Sequence, residues 1–304
     1  MSIVSGIISR FIYPHHLWRV IRLQLNRKKV NRTYDDAQLK LYHRLLPGDF
    51  LHYGYFDDPA IRPQDISLNM LYEAQERYGQ NIVDLIRDTE SEVLDVGCGM
   101  GGLLRLMNKQ GLKATALTPD RNQVHHIQQI YPNQILGIRM EDLDATANKE
   151  KYGTVITSES LQYLDQDISL PLIRTILKPQ GRWIACDYFR TGEAAEKSGH
   201  EWNAFVEKLN KYGLQITSQR DITPHILPTI GYVNMWATQI GLPIKDFILG
   251  KLQVKSPGIF YALNGSLPLI EEKIQKNIKT IDPAEFASKK KYMLLIIEKT
   301  AILS

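Results

Sequence analysis

From residue 92 onward the sequence alternates short apolar runs with amphipathic stretches of about ten residues, and few folds accept that order. Residues 92–96, 113–117, 134–139, 154–157, 183–186, 214–217 and 292–297 read as strands, and 101–110, 121–130, 167–177 and 200–212 as helices. Buried strands alternating with helices imply a mainly parallel sheet covered on both faces, here a doubly wound α/β fold of seven strands. The segment 222–290 interrupts the alternation. It is helical in pattern and holds Pro228, Tyr232, Met235, Trp236, Phe247, Phe260 and Tyr261. An apolar insertion before the last strand can roof a pocket for a bulky ligand. A packing subdomain or a homodimer contact is the plainer alternative.

The N-terminal part has a different character. Apolar residues at 3, 4, 7, 8, 11 and 12 form one helical stripe, which Pro14 is expected to end or kink. Leu17, Val20, Ile21 and Leu25 continue a second stripe. Residues 34–50 look helical up to Pro47, an aromatic turn comes next at 51–59, and 66–88 reads as a long amphipathic helix. Residues 1–32 carry seven basic side chains and no acid, whereas in the remainder acids outnumber bases by three. The globular part is therefore not basic, and nucleic acid is not an expected partner. The basic arm could lie on anionic lipid as a peripheral contact, or pack as a helix across a ligand mouth. With 43% hydrophobic and 23% charged residues the chain has the makeup of a packed protein. It has no run of 18 apolar residues, no signal-like start, and only Cys98 and Cys186, so a reducing, cytoplasmic setting is expected.

The chemistry concentrates in Val93-Leu94-Asp95-Val96-Gly97-Cys98-Gly99-Met100-Gly101-Gly102. A strand ends near an acid, then a glycine turn opens a helix. Glycines permit unusual backbone angles and close ligand approach, at the place where doubly wound sheets bind ligands. Gly97, Gly99 and Gly102 also match a dinucleotide fingerprint. Asp95, just before the glycines, argues instead for a ligand with an ammonium and a ribose and no phosphates there.

Asp95-x-Gly97-x-Gly99-x-Gly101 resembles the first motif of the class I S-adenosylmethionine-dependent methyltransferases. Met140-Glu141-Asp142-Leu143 resembles their third-strand motif. Residues 158–164 resemble the segment after their fourth strand, and 177–182 the turn before their fifth. The resemblance covers roughly residues 34–222 and the final strand. Tyr34-Asp35 and the stretch 51–55 are similar to the tocopherol, sterol and cyclopropane-fatty-acid group, whose acceptors are mostly apolar.

The resemblance implies a Rossmann-like core at 61–221, an N-terminal helical segment (1–60) over the cofactor, a helical lid (222–290) and a last core strand (291–304). It implies S-adenosyl-L-methionine as cofactor, cradled by Gly97, Gly99 and Gly101. Asp95 would hold its amino end, and Asp142 its adenine. Ala116 stands where many relatives have a ribose-binding acid, leaving Thr118, Asp120 or Asn122 for that role. Tyr53 and Tyr55 are candidates for the aromatic shell of a sulfonium. Methyl transfer from a sulfonium needs alignment and desolvation and no metal. Glu159 and Tyr163, where many relatives have His at 163, are the candidate catalytic groups. Asp187, Tyr188, His200 and His225 also lie near strand ends or in the lid. The expected activity is methylation of a small, largely apolar metabolite. A non-catalytic binder of the cofactor, a NAD-dependent oxidoreductase and a lipid cyclopropanating enzyme are the competing readings.

Overall fold

A computed structural model describes residues 13–25, 48–132, 134–192 and 198–300. The chain falls into two compact units, residues 1–37 and 38–304. In the first, α1 spans Pro14–Leu25. Pro14 opens this helix, because a fixed φ and a missing N–H suit a first turn. Trp18 and Ile21 are exposed, and the Arg22 guanidinium lies 5.3 Å from the Trp18 ring centre. The expected stripe at 3–12 and most of the expected helix at 34–50 lie outside the described residues.

The second unit holds the sheet. Its elements run α2 (Leu68–Val83), β1 (Glu92–Val96), α3 (Gly102–Lys109), β2 (Ala114–Leu117), α4 (Arg121–Ile130), β3 (Ile135–Leu136) and β4 (Tyr152–Ser158). Then come α5 (Gln166–Ile176), β5 (Leu177–Arg190), β6 (His200–Glu201), α6 (Trp202–Lys211) and β7 (Leu214–Asp221). After α7 (Thr223–Trp236), α8 (Leu242–Lys255), α9 (Pro257–Asn264), α10 (Leu267–Thr280) and α11 (Pro283–Lys289), β8 (Lys290–Lys299) closes the order.

The strands line up as β3-β2-β1-β4-β5-β8-β7, with the two-residue β6 alongside β5. All pairs are parallel except those of β8, which runs antiparallel between β5 and β7. The order reverses between β1 and β4, so their carboxyl ends frame the ligand crevice of an open sheet. One face of the sheet packs on α2, α3 and α7 through Tyr78, Leu104, Ile226 and Tyr292. The other packs on α5 and α6 through Leu170, Ile173, Phe205 and Leu209. Both faces are covered, which is why β1, β4 and the 181–187 stretch of β5 are buried almost throughout.

The expected doubly wound sheet is present, with differences at its margins. The strand expected at 134–139 shortens to two residues, since it sits at the sheet edge with one neighbour. The residues expected to turn before the fifth strand already belong to β5, which starts at Leu177 straight after α5. The helix expected from 200 starts at Trp202, capped by the Glu201 carboxylate on the backbone N–H of Asn203 and Ala204. The interruption at 222–290 is α7 to α11. Among the described residues no helix is long and apolar enough to cross a membrane.

Candidate active site

Strand β1 delivers Asp95 to the crevice. The residue is almost wholly buried, its Oδ2 has no hydrogen-bond partner, and burial pushes its carboxyl up to about 7. The turn after it is held open by backbone geometry: Gly97, Gly99 and Gly101 have φ of 76°, 56° and 91°, in the region that L side chains avoid. A Cβ on Gly97 would stand 2.3 Å from that of Ser160, while one on Gly99 would meet nothing nearer than Leu51 at 3.8 Å. The loop is therefore tight against β4 at one end and open at the other. The Ser160 hydroxyl fixes the tight end by donating to the Val96 carbonyl at 2.5 Å.

Gly101 caps α3 without a side chain, so the first N–H groups of that helix receive no cap from it. An orphaned buried carboxylate, a glycine cradle and an uncapped helix start suit a ligand bearing an ammonium and a carboxylate. The methionine end of the expected cofactor has those two groups, so the residues present fit it.

Strand β4 delivers Glu159. Its φ is +52°, a left-handed conformation that costs about 1–3 kcal/mol outside glycine. The Glu159 N–H donates to the Cys186 carbonyl at 2.9 Å, which fixes the kink. Oε1 accepts from the Tyr292 hydroxyl at 2.6 Å and from the Tyr53 N–H at 3.1 Å. Both bonds favour the carboxylate, yet desolvation outweighs them and pushes the carboxyl up to about 7. At the end of β5, the buried Asp187 is pushed up to about 8, first by burial and then by the nearby Glu159 charge.

The surroundings of Glu159 are aromatic. Tyr292 shares a 2.9 Å hydroxyl contact with Tyr78, and the Tyr53, Tyr78 and Tyr188 rings lie 6.0–6.4 Å from its centre. The Tyr78 hydroxyl also lies 3.2 Å from that of Ser158. Burial raises the Tyr188 phenol to about 12 and the Tyr78 and Tyr292 phenols well above the usual range, so all three remain protonated donors.

The stretch 50–56 straps these parts together. Phe50 lies against Gly102, where a Cβ would stand 2.3 Å from its ring, and against Gly79, where one would stand 3.0 Å away. The Tyr55 N–H donates to Ala74 of α2, and the Gly54 N–H to the Thr229 hydroxyl of α7. Tyr55 stacks on His225 at 4.3 Å and 9°, and the His225 Nδ1 lies 2.7 Å from the Phe56 carbonyl. Tyr53 thus reaches the Glu159 cluster, whereas Tyr55 is packed on the insertion.

Other expected residues go elsewhere. Tyr163 sits on a short turn with 79% of its surface exposed, and its phenol bears on that of Tyr188. Asp142 is exposed and engaged by Arg139 through bonds of 2.8 and 2.9 Å, so an adenine would have to compete with that pair. Thr118 is buried, donating to the Gln123 side chain at 2.6 Å. Asp120 caps α4 by accepting from the N–H groups of Asn122 and Gln123. His200 sits with its Nε2 2.9 Å from the Leu161 carbonyl. Cys98 is a buried member of the core.

Sequence reasoning did not single out Tyr78, His52 and Tyr292. Tyr78 stood only as an apolar position of the long helix, and nothing local marks Tyr292, 133 residues from its carboxylate partner. His52 lies between the Phe50 and Tyr78 rings, 4.7 and 4.1 Å away. Burial lowers its pKa to about 4, and its enclosed Nε2 has no partner. Its place inside the aromatic turn was the available signal.

Residues 70–223 match a family model described as a methyltransferase domain. The ubiquinone biosynthesis O-methyltransferase of Bradyrhizobium diazoefficiens is 24% identical over 189 residues, 56% of this chain and 68% of that protein. The geranyl diphosphate C-methyltransferase from Streptomyces coelicolor, solved with Mg2+, geranyl-S-thiolodiphosphate and S-adenosyl-L-homocysteine, superposes with a TM-score of 0.66 at 14% identity, covering 90% of this chain and 97% of that one. A mycolic acid cyclopropane synthase complexed with S-adenosyl-L-homocysteine gives 0.58 at 18% identity, over 86% and 95%. At such identities the solved structures speak for the fold.

Proposed function

The chain belongs to the methyltransferase-domain family, and from that premise we propose that it methylates a small, largely apolar acceptor held in the aromatic nest around Glu159. It is an S-adenosyl-L-methionine-dependent methyltransferase acting on small molecules. The family match removes the dinucleotide alternative. The single observation that carries the acceptor reading is the aromatic cluster beside Glu159: the Tyr53, Tyr78 and Tyr188 rings gather around that of Tyr292, whose hydroxyl holds the carboxyl group. An acceptor there meets rings with the carboxyls of Glu159 and Asp187 beside them, which selects an apolar body carrying one reactive polar or electron-rich atom.

The cofactor, when bound, supplies a methyl carbon already activated by its sulfonium. This chain's residues do the remainder. Asp95 pairs with the ammonium, which relieves a carboxyl otherwise buried without a partner. Gly97, Gly99 and Gly101 admit the ligand close to the backbone. Tyr53, tied to Glu159 through its N–H, provides an aromatic ring beside a cation. Glu159, held by Tyr292, takes the proton of an oxygen or nitrogen acceptor, or faces the positive charge that develops on a carbon acceptor. Both roles need the carboxylate form. In this reading the strap at 50–56 and the insertion 222–290 close over the crevice and exclude water.

The test is incubation with methyl-labelled cofactor and an organic-solvent extract of cells, followed by mass spectrometry. The expected label is in small apolar products. Label confined to water-soluble polar metabolites would refute the acceptor class, and no transfer at all would return the protein to the class of cofactor binders.

A further inference from the structure

The insertion carries a surface that the methyl-transfer reading does not use. Helices α8, α9 and α10 contain no buried residue. On α8, positions 244, 247, 248, 251, 254 and 255 recur at helical spacing and form one outward stripe of Ile244, Phe247, Ile248, Lys251, Val254 and Lys255. Phe247 is 62% exposed and Val254 81%. The opposite side of α8 is occupied: Lys245 turns to α10 and bonds Glu271 at 2.5 Å. The acid beside the stripe, Asp246, lies 3.2 Å from the same Lys245. The stripe itself therefore presents apolar side chains and two lysines. The Lys251 ammonium stands over the Phe247 ring, 5.1 Å from its centre.

We propose that this face of α8 docks the protein on an anionic lipid surface. An exposed helix with bulky apolar side chains and lysines on its flank matches a headgroup boundary, where the apolar groups enter the acyl edge and the ammonium groups meet lipid phosphates. Pairing with a second copy fits less well, because a two-fold contact lays the stripe on itself and brings like charges together. The inference holds whichever acceptor the crevice takes.

The full chain is sedimented with phosphatidylcholine vesicles, with and without about 30 mol% phosphatidylglycerol. The expected result is binding about tenfold tighter to the anionic vesicles, lowered at least tenfold by Phe247→Glu with Ile248→Glu. Lys251→Glu with Lys255→Glu brings anionic vesicles down to the level of neutral ones. Calorimetry with S-adenosylhomocysteine reports the fold of each variant. Should the apolar double variant lose that affinity, the lysine variant decides alone. Wild-type binding that neither variant alters, as when the basic arm at 10–32 carries it all, overturns the proposal. So does a wild type that ignores vesicles and sediments as a dimer that the apolar variant dissociates.

Discussion

The crevice at the sheet's carboxyl ends and the outer helices of the insertion depart from ordinary burial in opposite directions. In the crevice, Asp95, Glu159 and Asp187 are carboxyls whose pKa values burial has raised to about 7, 7 and 8. On α8 and α9, Phe247, Val254 and Tyr261 are large apolar groups left in water. Each departure costs stability in the isolated chain. The core surrounding the crevice is well packed, so it can hold polar groups at a fixed place against that cost. The outer helices hold apolar groups without burying them. The first arrangement suits a small ligand of defined charge, the second an extended surface.

The sharpest way to break this contrast is Asp95→Asn. Affinity for S-adenosylhomocysteine measured by calorimetry should fall at least about 100-fold, because the ammonium loses its buried counter-charge. Stability should move the other way. A carboxyl raised to about 7 in the folded state contributes stability that is complete below about pH 4 and is lost as pH rises through about 7. At pH 8 the ligand-free variant should therefore melt a few degrees above the wild type, by about 3 °C or more. A lower melting point would mean that Asp95 is structural.

Glu159→Gln comes next. Methyl transfer should drop about 100-fold with S-adenosylhomocysteine affinity nearly unchanged. The wild-type rate should rise with pH through about 7, as the carboxylate forms, and that limb should vanish in the variant. Tyr292→Phe is smaller and tests positioning. The hydroxyl favours the ionised carboxylate, so its loss should lower the rate about tenfold and move the limb to higher pH. A rate loss with no shift would assign Tyr292 to packing alone. Tyr163→Phe should change the rate by less than about twofold, since the ring is mostly exposed and Glu159 is held by Tyr292 and Tyr53. A large effect there would draw the exposed turn at 161–163 into the site.

The expected fold was legible because its signals are local. The apolar run 92–96 and the glycines after it each state their geometry within a few residues. The place of Asp95 on the strand just before the glycines was legible for the same reason. Asp142 was assigned by likeness of motif, and the structure engages it with Arg139 three residues away, a competition that motif matching does not weigh.

By itself, the sequence determined an alternating α/β order, an acid before a glycine bend and an aromatic insertion, because periodicity and backbone preference act over a few residues. Tertiary structure decided that Glu159 rather than Tyr163 lies among buried tyrosines, and that Tyr292 on the last strand supports it. Those contacts join positions more than a hundred residues apart through the antiparallel entry of β8 beside β5. The raised carboxyl values were likewise hidden, since desolvation belongs to an environment and no residue type or spacing encodes it.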